Sequence, residues 1–150
     1  MEKLLSFDCE TNGLYGVGFA VGGVVLLPSG EVISRFYARA PLPEGELLNP
    51  WVQENVLPHL DAQTHGDLVA MRSDFWAWFQ AQKVGADVFA DIGCPVEVGL
   101  IRATVADDPE TRQWQGPYPL HEVATLLLGR GVNPDVSREE YVGDLLTGRE

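Results

Sequence analysis

The chain has 150 residues, 45% of them hydrophobic and 21% charged, enough for one full core and too apolar for a disordered segment. Its formal net charge of −12 argues against nonspecific nucleic-acid binding through a broad basic face, but not against an enzyme that meets nucleic acid through metal ions and a few arginines. No apolar run is long enough to span a bilayer, residues 1–10 do not read as a signal peptide, and Cys9 and Cys94 stand far apart without a C-x-x-C, which reads as buried free thiols in a reducing cytoplasm.

Residues 3–9 open the chain with a mostly apolar run of strand length, suited to burial on both faces. The run meets Asp8-Cys9-Glu10. Alternation along a strand sends Asp8 and Glu10 to one side and Cys9 to the other. Two like charges at the end of a buried strand repel each other and lose hydration. A divalent cation compensates both, and Mg²⁺ and Mn²⁺ prefer oxygen ligands. Thr11-Asn12-Gly13 supplies turn chemistry, so the strand opens into a loop that a ligand can approach.

A second β-rich run covers Val17 to Leu27, where Gly22-Gly23 predicts a bulge or a close backbone approach. Pro28-Ser29-Gly30 turns the chain, and Glu31 to Ala40 returns as a strand. Ile33, Arg35, Tyr37 and Arg39 alternate there with Val32, Ser34, Phe36 and Ala38. The arginine face reads as solvated and as blunting an edge rather than as a phosphate holder. Asn49-Pro50 is an N-cap followed by a first-turn proline, and Pro58 ends that short helix. Trp51, Val52, Val56 and Leu60 form its apolar side. His59 and His65 lack spaced partners and read as surface or structural.

Asp67 to Lys83 is the clearest helix, with Leu68, Met71, Phe75, Trp78 and Phe79 on one stripe and Trp76 off its centre. Ala86 to Asp91 is a further strand ending in a carboxylate, and helices on either side of it predict a parallel partner for the first strand. Pro95 starts the next helix, with Val98, Ile101 and Val105 toward the core. Glu97 falls in its first turn, where a carboxylate suits the positive end of the dipole. Asp107-Asp108-Pro109 is a loop. A helix with Val123, Leu126 and Leu127 inward stops at Gly129-Arg130-Gly131. Ser137-Arg138-Glu139-Glu140 has capping-box spacing and opens a last helix to about Leu146. Strands first, then helices around a later strand, predict one α/β domain over residues 1–150.

Asp8-x-Glu10-Thr11-x-Gly13 after an N-terminal apolar strand resembles the first motif of the DEDD superfamily of 3′→5′ exonucleases, the proofreading type. The resemblance implies a ribonuclease-H-like, three-layer α/β domain, a mixed central sheet with helices on both faces. It implies hydrolysis of phosphodiester bonds at the 3′ end of single-stranded DNA or RNA by a two-metal mechanism with Mg²⁺ or Mn²⁺. It further implies a third carboxylate after the strand that pairs beside the first. Asp91 and Glu97 compete for that role, and Asp91 is favoured because the helix dipole already accounts for Glu97. The family's second motif, Asn-x-x-x-Phe-Asp, is replaced here by Asp91-Ile92-Gly93-Cys94-Pro95-Val96-Glu97.

The family's third motif, His-x4-Asp or Tyr-x3-Asp, does not occur. Thr64, Ala70 and Leu126 stand five residues after the three histidines, and Leu145 four after Tyr141. Two expectations follow. The missing pair lies beyond Glu150, in a closing helix that this chain lacks, or Asp144 or Glu140 stands in for it. The competing function is a catalytically degenerate ribonuclease-H-like domain used for binding or assembly. There is no Gly-x-Ser-x-Gly elbow and no phosphate-loop motif. DNA and RNA differ by contacts to the 2′-hydroxyl, which the sequence does not display, and nothing in it sets the oligomeric state.

Overall fold

The computed structural model describes residues 2–147, and of residues 144–147 the backbone alone. The opening run becomes β1 (Lys3–Thr11), the middle strand of a five-stranded sheet. On one side β2 (Gly18–Leu26) and then β3 (Val32–Arg39) pair antiparallel, and on the other β4 (Ala86–Ala90) and β5 (His121–Glu122) pair parallel. The order is β3-β2-β1-β4-β5, with the expected hairpin on one flank of β1 and the expected parallel strand on the other.

The helices are α1 (Pro50–Asn55), α2 (Leu68–Gln82), α3 (Val96–Asp107), α4 (Pro109–Arg112), α5 (Val123–Gly129) and α6 (Arg138–Thr147). Alternation on β1 buries Leu5, Phe7 and Cys9 together with Val21, Val25, Ala38 and Val88 against α2 and α3. Phe7 meets Phe75 of α2 with ring centroids 5.4 Å apart. Burial of each such ring stabilises the fold by roughly 1.5–3 kcal/mol. Val52 of α1 joins Phe19 and Ala20 in a second, smaller cluster, and by register Ala20 shares the face of Asp8.

The Gly22-Gly23 pair is a close approach and not a bulge. A Cβ on Gly23 would stand 2.4 Å from the Trp78 ring, while the irregularities of the ladder fall at Glu10/Thr11 and Val25/Leu26. Trp78 then anchors its indole N–H on Ser34 Oγ at 2.9 Å. The caps fall where the side chains predict. Asn49 Oδ1 accepts from the Trp51 and Val52 N–H groups, Asp67 Oδ1 from Ala70 N–H, and Ser137 Oγ from Glu140 N–H.

Other details differ from the sequence reading. Trp76 is buried in the main core, beside Phe79 and with Arg112 of α4 over its ring at 5.9 Å. Trp51, Leu126 and Val98 point outward, and α3 instead buries Glu97, Leu100 and Thr104. Cys94 is exposed, while Cys9 is buried as expected; both are free. The short helix α4 and the two-residue strand β5 carry too few residues for a periodic signal. Among the described residues no helix is long and apolar enough to cross a membrane.

Candidate functional site

The site forms where β1 leaves the core. Asp8 and Glu10 face away from Phe7 and Cys9, and Asp8 is exposed. Across the sheet Gly22 stands opposite Asp8, with nothing within 4 Å of where its Cβ would be, so the floor beside this carboxylate is bare.

Glu97 reaches the same point from the other side. It belongs to the buried stripe of α3 with Leu100 and Thr104, at three- and four-residue steps, and only 4% of it is exposed. Its Oε1 accepts from the Cys9 backbone N–H at 3.3 Å. Its Oε2 is buried with no donor facing it, and the Asp8 carboxyl lies within hydrogen-bond reach of Glu97. A carboxylate at a helix start normally satisfies its oxygens with water or the first-turn N–H groups. An orphaned buried oxygen is costly and calls for a proton or a cation.

The electrostatics agree with the geometry. Burial pushes the Glu97 carboxyl up to about 7, and the Asp8 charge adds to that, while the backbone N–H groups of its own turn and of Cys9 pull the other way. Glu10 is raised by burial and then by Asp8. The Cys9 thiol is held protonated by burial and by the fields of Glu97, Asp8 and Glu10, so all three carboxylates are felt at one atom. Asp8 and Glu97 with the unpaired Oε2 suit one hard divalent cation, which two carboxylates, water and substrate oxygens can hold. The set goes no further: among the described residues no three His, Cys, Asp or Glu side chains gather closely enough to hold an ion.

Asp91 lies just past β4, at the same end of the sheet as Asp8, because the two strands run parallel with Ser6 opposite Phe89. Its Oδ1 accepts from Arg138 Nε at 2.8 Å and pairs with Nη2 at 2.7 Å. Glu140 is exposed on α6, and the side chain of Asp144 lies outside the described residues. His65 bridges Thr64 Oγ1 at 2.7 Å and Asp74 Oδ2 at 2.8 Å, a loop staple as its lack of a spaced partner predicts.

Two hollows lie beside this corner of the sheet. One, of about 510 Å³, lies on the outer face of β1–β3 and is lined by Ser6, Asp8, Gly22, Arg35, Tyr37 and Asp61. The other, of about 630 Å³, lies between the loop after Glu10 and α3, with Thr11, Tyr15, Arg72, Pro95, Gly99 and Arg102 in its wall. Arg72 is occupied by Asp107, which accepts from its Nε at 2.6 Å and its Nη2 at 2.8 Å. The alternation of Arg35 and Tyr37 on β3 was the available hint to the first hollow; no local pattern marked the second.

No protein-family model matches the chain, and no curated protein matches it. Solved structures do. A product-bound exonuclease I superposes with a TM-score of 0.65 at 15% identity, over 85% of this chain and 31% of the other. E. coli exonuclease I in complex with a dT13 oligonucleotide gives 0.63 at 14%, over 85% and 29%. The zinc-ion-bound form of the E. coli exonuclease I–ssDNA complex gives 0.64 at 14%, over 85% and 29%. The likeness is one of fold, and that fold is ribonuclease-H-like: a mixed five-stranded α/β sheet with helices packed against it. The chain spans about a third or less of the length of these proteins, between 29% and 31%.

Proposed function

We propose that this chain is a nuclease of the DEDD type, a metal-dependent 3′→5′ exonuclease acting on single-stranded nucleic-acid ends. The observation that carries the reading is Glu97: a core-buried carboxylate beside Asp8 with one oxygen on the Cys9 N–H and the other unpaired. In this reading Asp8 and Glu97 hold the first Mg²⁺ or Mn²⁺, Glu10 stands at its rim, and Glu97 takes the place that the sequence favoured for Asp91. Arg138 already neutralises Asp91, which leaves it little reason to bind a cation. The structural likeness to exonuclease I in complexes with single-stranded DNA supports the substrate class, with DNA as the first one to try. A cytoplasmic location goes with two free cysteines.

A bound cation would supply charge at the attacked phosphate and lower the pKa of the attacking water. The chain's own part is positional. Cys9 N–H fixes one Glu97 oxygen, so the other stays aimed at the Asp8 side. The apolar stripe of α3 keeps water from the buried half of the pair, which strengthens its hold on a cation. A two-metal mechanism needs further donors. General-base help from such donors is worth about 10²–10⁴-fold in rate.

The competing reading is a degenerate domain that binds without turnover. It is favoured by one observation, that no three ligating side chains gather among the described residues. A labelled single strand incubated with Mn²⁺ separates the two: release of mononucleotides that Asp8→Asn abolishes supports the exonuclease. Tight Mn²⁺ binding without turnover supports the degenerate domain, and no Mn²⁺ binding by calorimetry sinks both the cation site and the nuclease.

A further inference from the structure

The backbone that follows Glu10 is fixed by one side chain. Asn12 Nδ2 donates to Glu46 Oε1 at 2.9 Å and to the Leu47 carbonyl at 2.9 Å, and Asn12 Oδ1 accepts from the Asn49 N–H at 2.7 Å. The amide thus uses both of its N–H groups and its oxygen on three successive points of one distant segment. That segment runs directly into α1. Asn49 caps the helix, its Oδ1 accepting from Trp51 N–H at 2.9 Å and Val52 N–H at 3.4 Å. Contact is close elsewhere too: a Cβ on Gly13 would stand 3.2 Å from Asn49 Nδ2.

The position of this clamp matters more than its strength. The β1–β2 ladder runs regularly from Leu4 to Glu10 and loses register between Glu10 and Thr11. The ladder resumes at Thr11 opposite Gly18, and the Asn12 N–H donates to the Val17 carbonyl at 2.9 Å, so Asp8 lies in a regular stretch and Glu10 beside an irregularity. Past that break the chain is in a turn, with Gly13 at φ 86 and Gly16 N–H on the Gly13 carbonyl at 2.8 Å. The hairpin ladder sets where this turn leaves the sheet, and it makes no link to the segment before α1. The bonds of Asn12 add that second tie and join the turn to the start of α1, whose Val52 is buried with Ala20, the residue opposite Glu10.

We infer that Asn12 is a positioning residue of the acid site: through Glu46, Leu47 and Asn49 it makes the loop after Glu10 and the start of α1 one unit, and so sets how Glu10 stands at the rim of the cation position. The inference rests on the reading of Asp8, Glu10 and Glu97 as a cation site. Asparagine suits the role because it presents donors and an acceptor together. An aspartate would keep the acceptor for Asn49 but set a charge against Glu46 and the Leu47 carbonyl.

Two measurements on the whole chain test it. Amide hydrogen exchange reads the coupling, and Mn²⁺ calorimetry reads the positioning. Asn12→Ala and Asn12→Asp should speed exchange together in residues 11–16 and 49–52, and weaken Mn²⁺ binding by about tenfold, the scale of outer-shell contacts. Asn12→Asp/Glu46→Gln should recover part of both. Ser34→Ala, which removes the Trp78 bond far from the loop, lowers stability and should change neither. Faster exchange confined to residues 11–16 overturns the coupling. Wild-type Mn²⁺ affinity in Asn12→Ala overturns the positioning role. If the unaltered chain binds no Mn²⁺, the cation reading and the positioning role fall with it, while exchange still decides the coupling.

Discussion

Two corners of this fold look alike on paper and differ in kind. At each, a strand of the parallel pair β1–β4 leaves the core with a carboxylate at its end, and a helix element brings a second charged residue alongside. At β4 the newcomer is Arg138, which takes the Asp91 carboxylate in two contacts at 2.7 and 2.8 Å on a partly exposed surface. At β1 it is Glu97, another acid, buried and short of one hydrogen-bond partner. The first corner is electrostatically finished: a cation arriving there would have to displace one that is already built in. The second is left with like charges and an orphaned oxygen, and its repulsion is relieved only by a proton or an external cation. Sequence rank placed Asp91 above Glu97 because each was judged by its own element. In the proposed reading that preference is reversed, because what matters is the partner.

The sharpest way to break this comparison is metal binding. Asp8→Asn and Glu97→Gln should each weaken Mn²⁺ by more than about 100-fold, beyond the roughly 10–100-fold typical of outer-shell residues. Asp91→Asn should leave the affinity unchanged. Without metal, Asp8→Asn should melt no lower than the unaltered chain, since it removes a like charge from beside Glu97. Calorimetry and melting curves on the same samples give both answers, and a loss of affinity only in Asp91→Asn would exchange the roles of the two corners.

A smaller effect should appear in stability against pH. Burial raises the Glu97 carboxyl from 4.5 up to about 7, so between those values the folded chain holds a proton that the unfolded chain has released. Stability is then full below the unfolded value and falls as pH rises through the folded one. The loss should be roughly 1–3 kcal/mol at most, with Glu10 adding in the same direction. Urea unfolding in chelator at about pH 5 and about pH 8 measures it. Glu97→Gln should flatten the slope, and an unchanged slope would assign the proton to another group.

The smallest effect belongs to the finished corner. Arg138→Ala removes a half-exposed ion pair, which costs only about 0.2–1 kcal/mol, together with the Nη1 hydrogen bonds to the Pro134 and Val136 carbonyls. The Mn²⁺ stoichiometry should stay the same. A second ion in that variant would mean that Arg138 alone keeps Asp91 out of a metal site, and the two corners would differ by one side chain only.

Much of this was legible in the chain itself, and the reasons are local. Alternation in residues 3–10 fixed which side Asp8 and Glu10 take, because a strand's period of two leaves no choice once Leu5, Phe7 and Cys9 are buried. Asn49, Asp67 and Ser137 announced their helices because a capping oxygen acts on N–H groups two or three residues away. Gly22-Gly23 marked a close approach, although only the coordinates show that Trp78 is what approaches. The tertiary structure decided everything that depends on which distant groups meet. It turned α3 so that Glu97 and not Val98 faces inward, folded α4 over Trp76, and gave Asp91 to Arg138, a residue 47 positions further along the chain. Burial and charge neutralisation are properties of neighbours in space, so two carboxylates with nearly equal credentials in the sequence acquired opposite chemistry only when the chain closed around them.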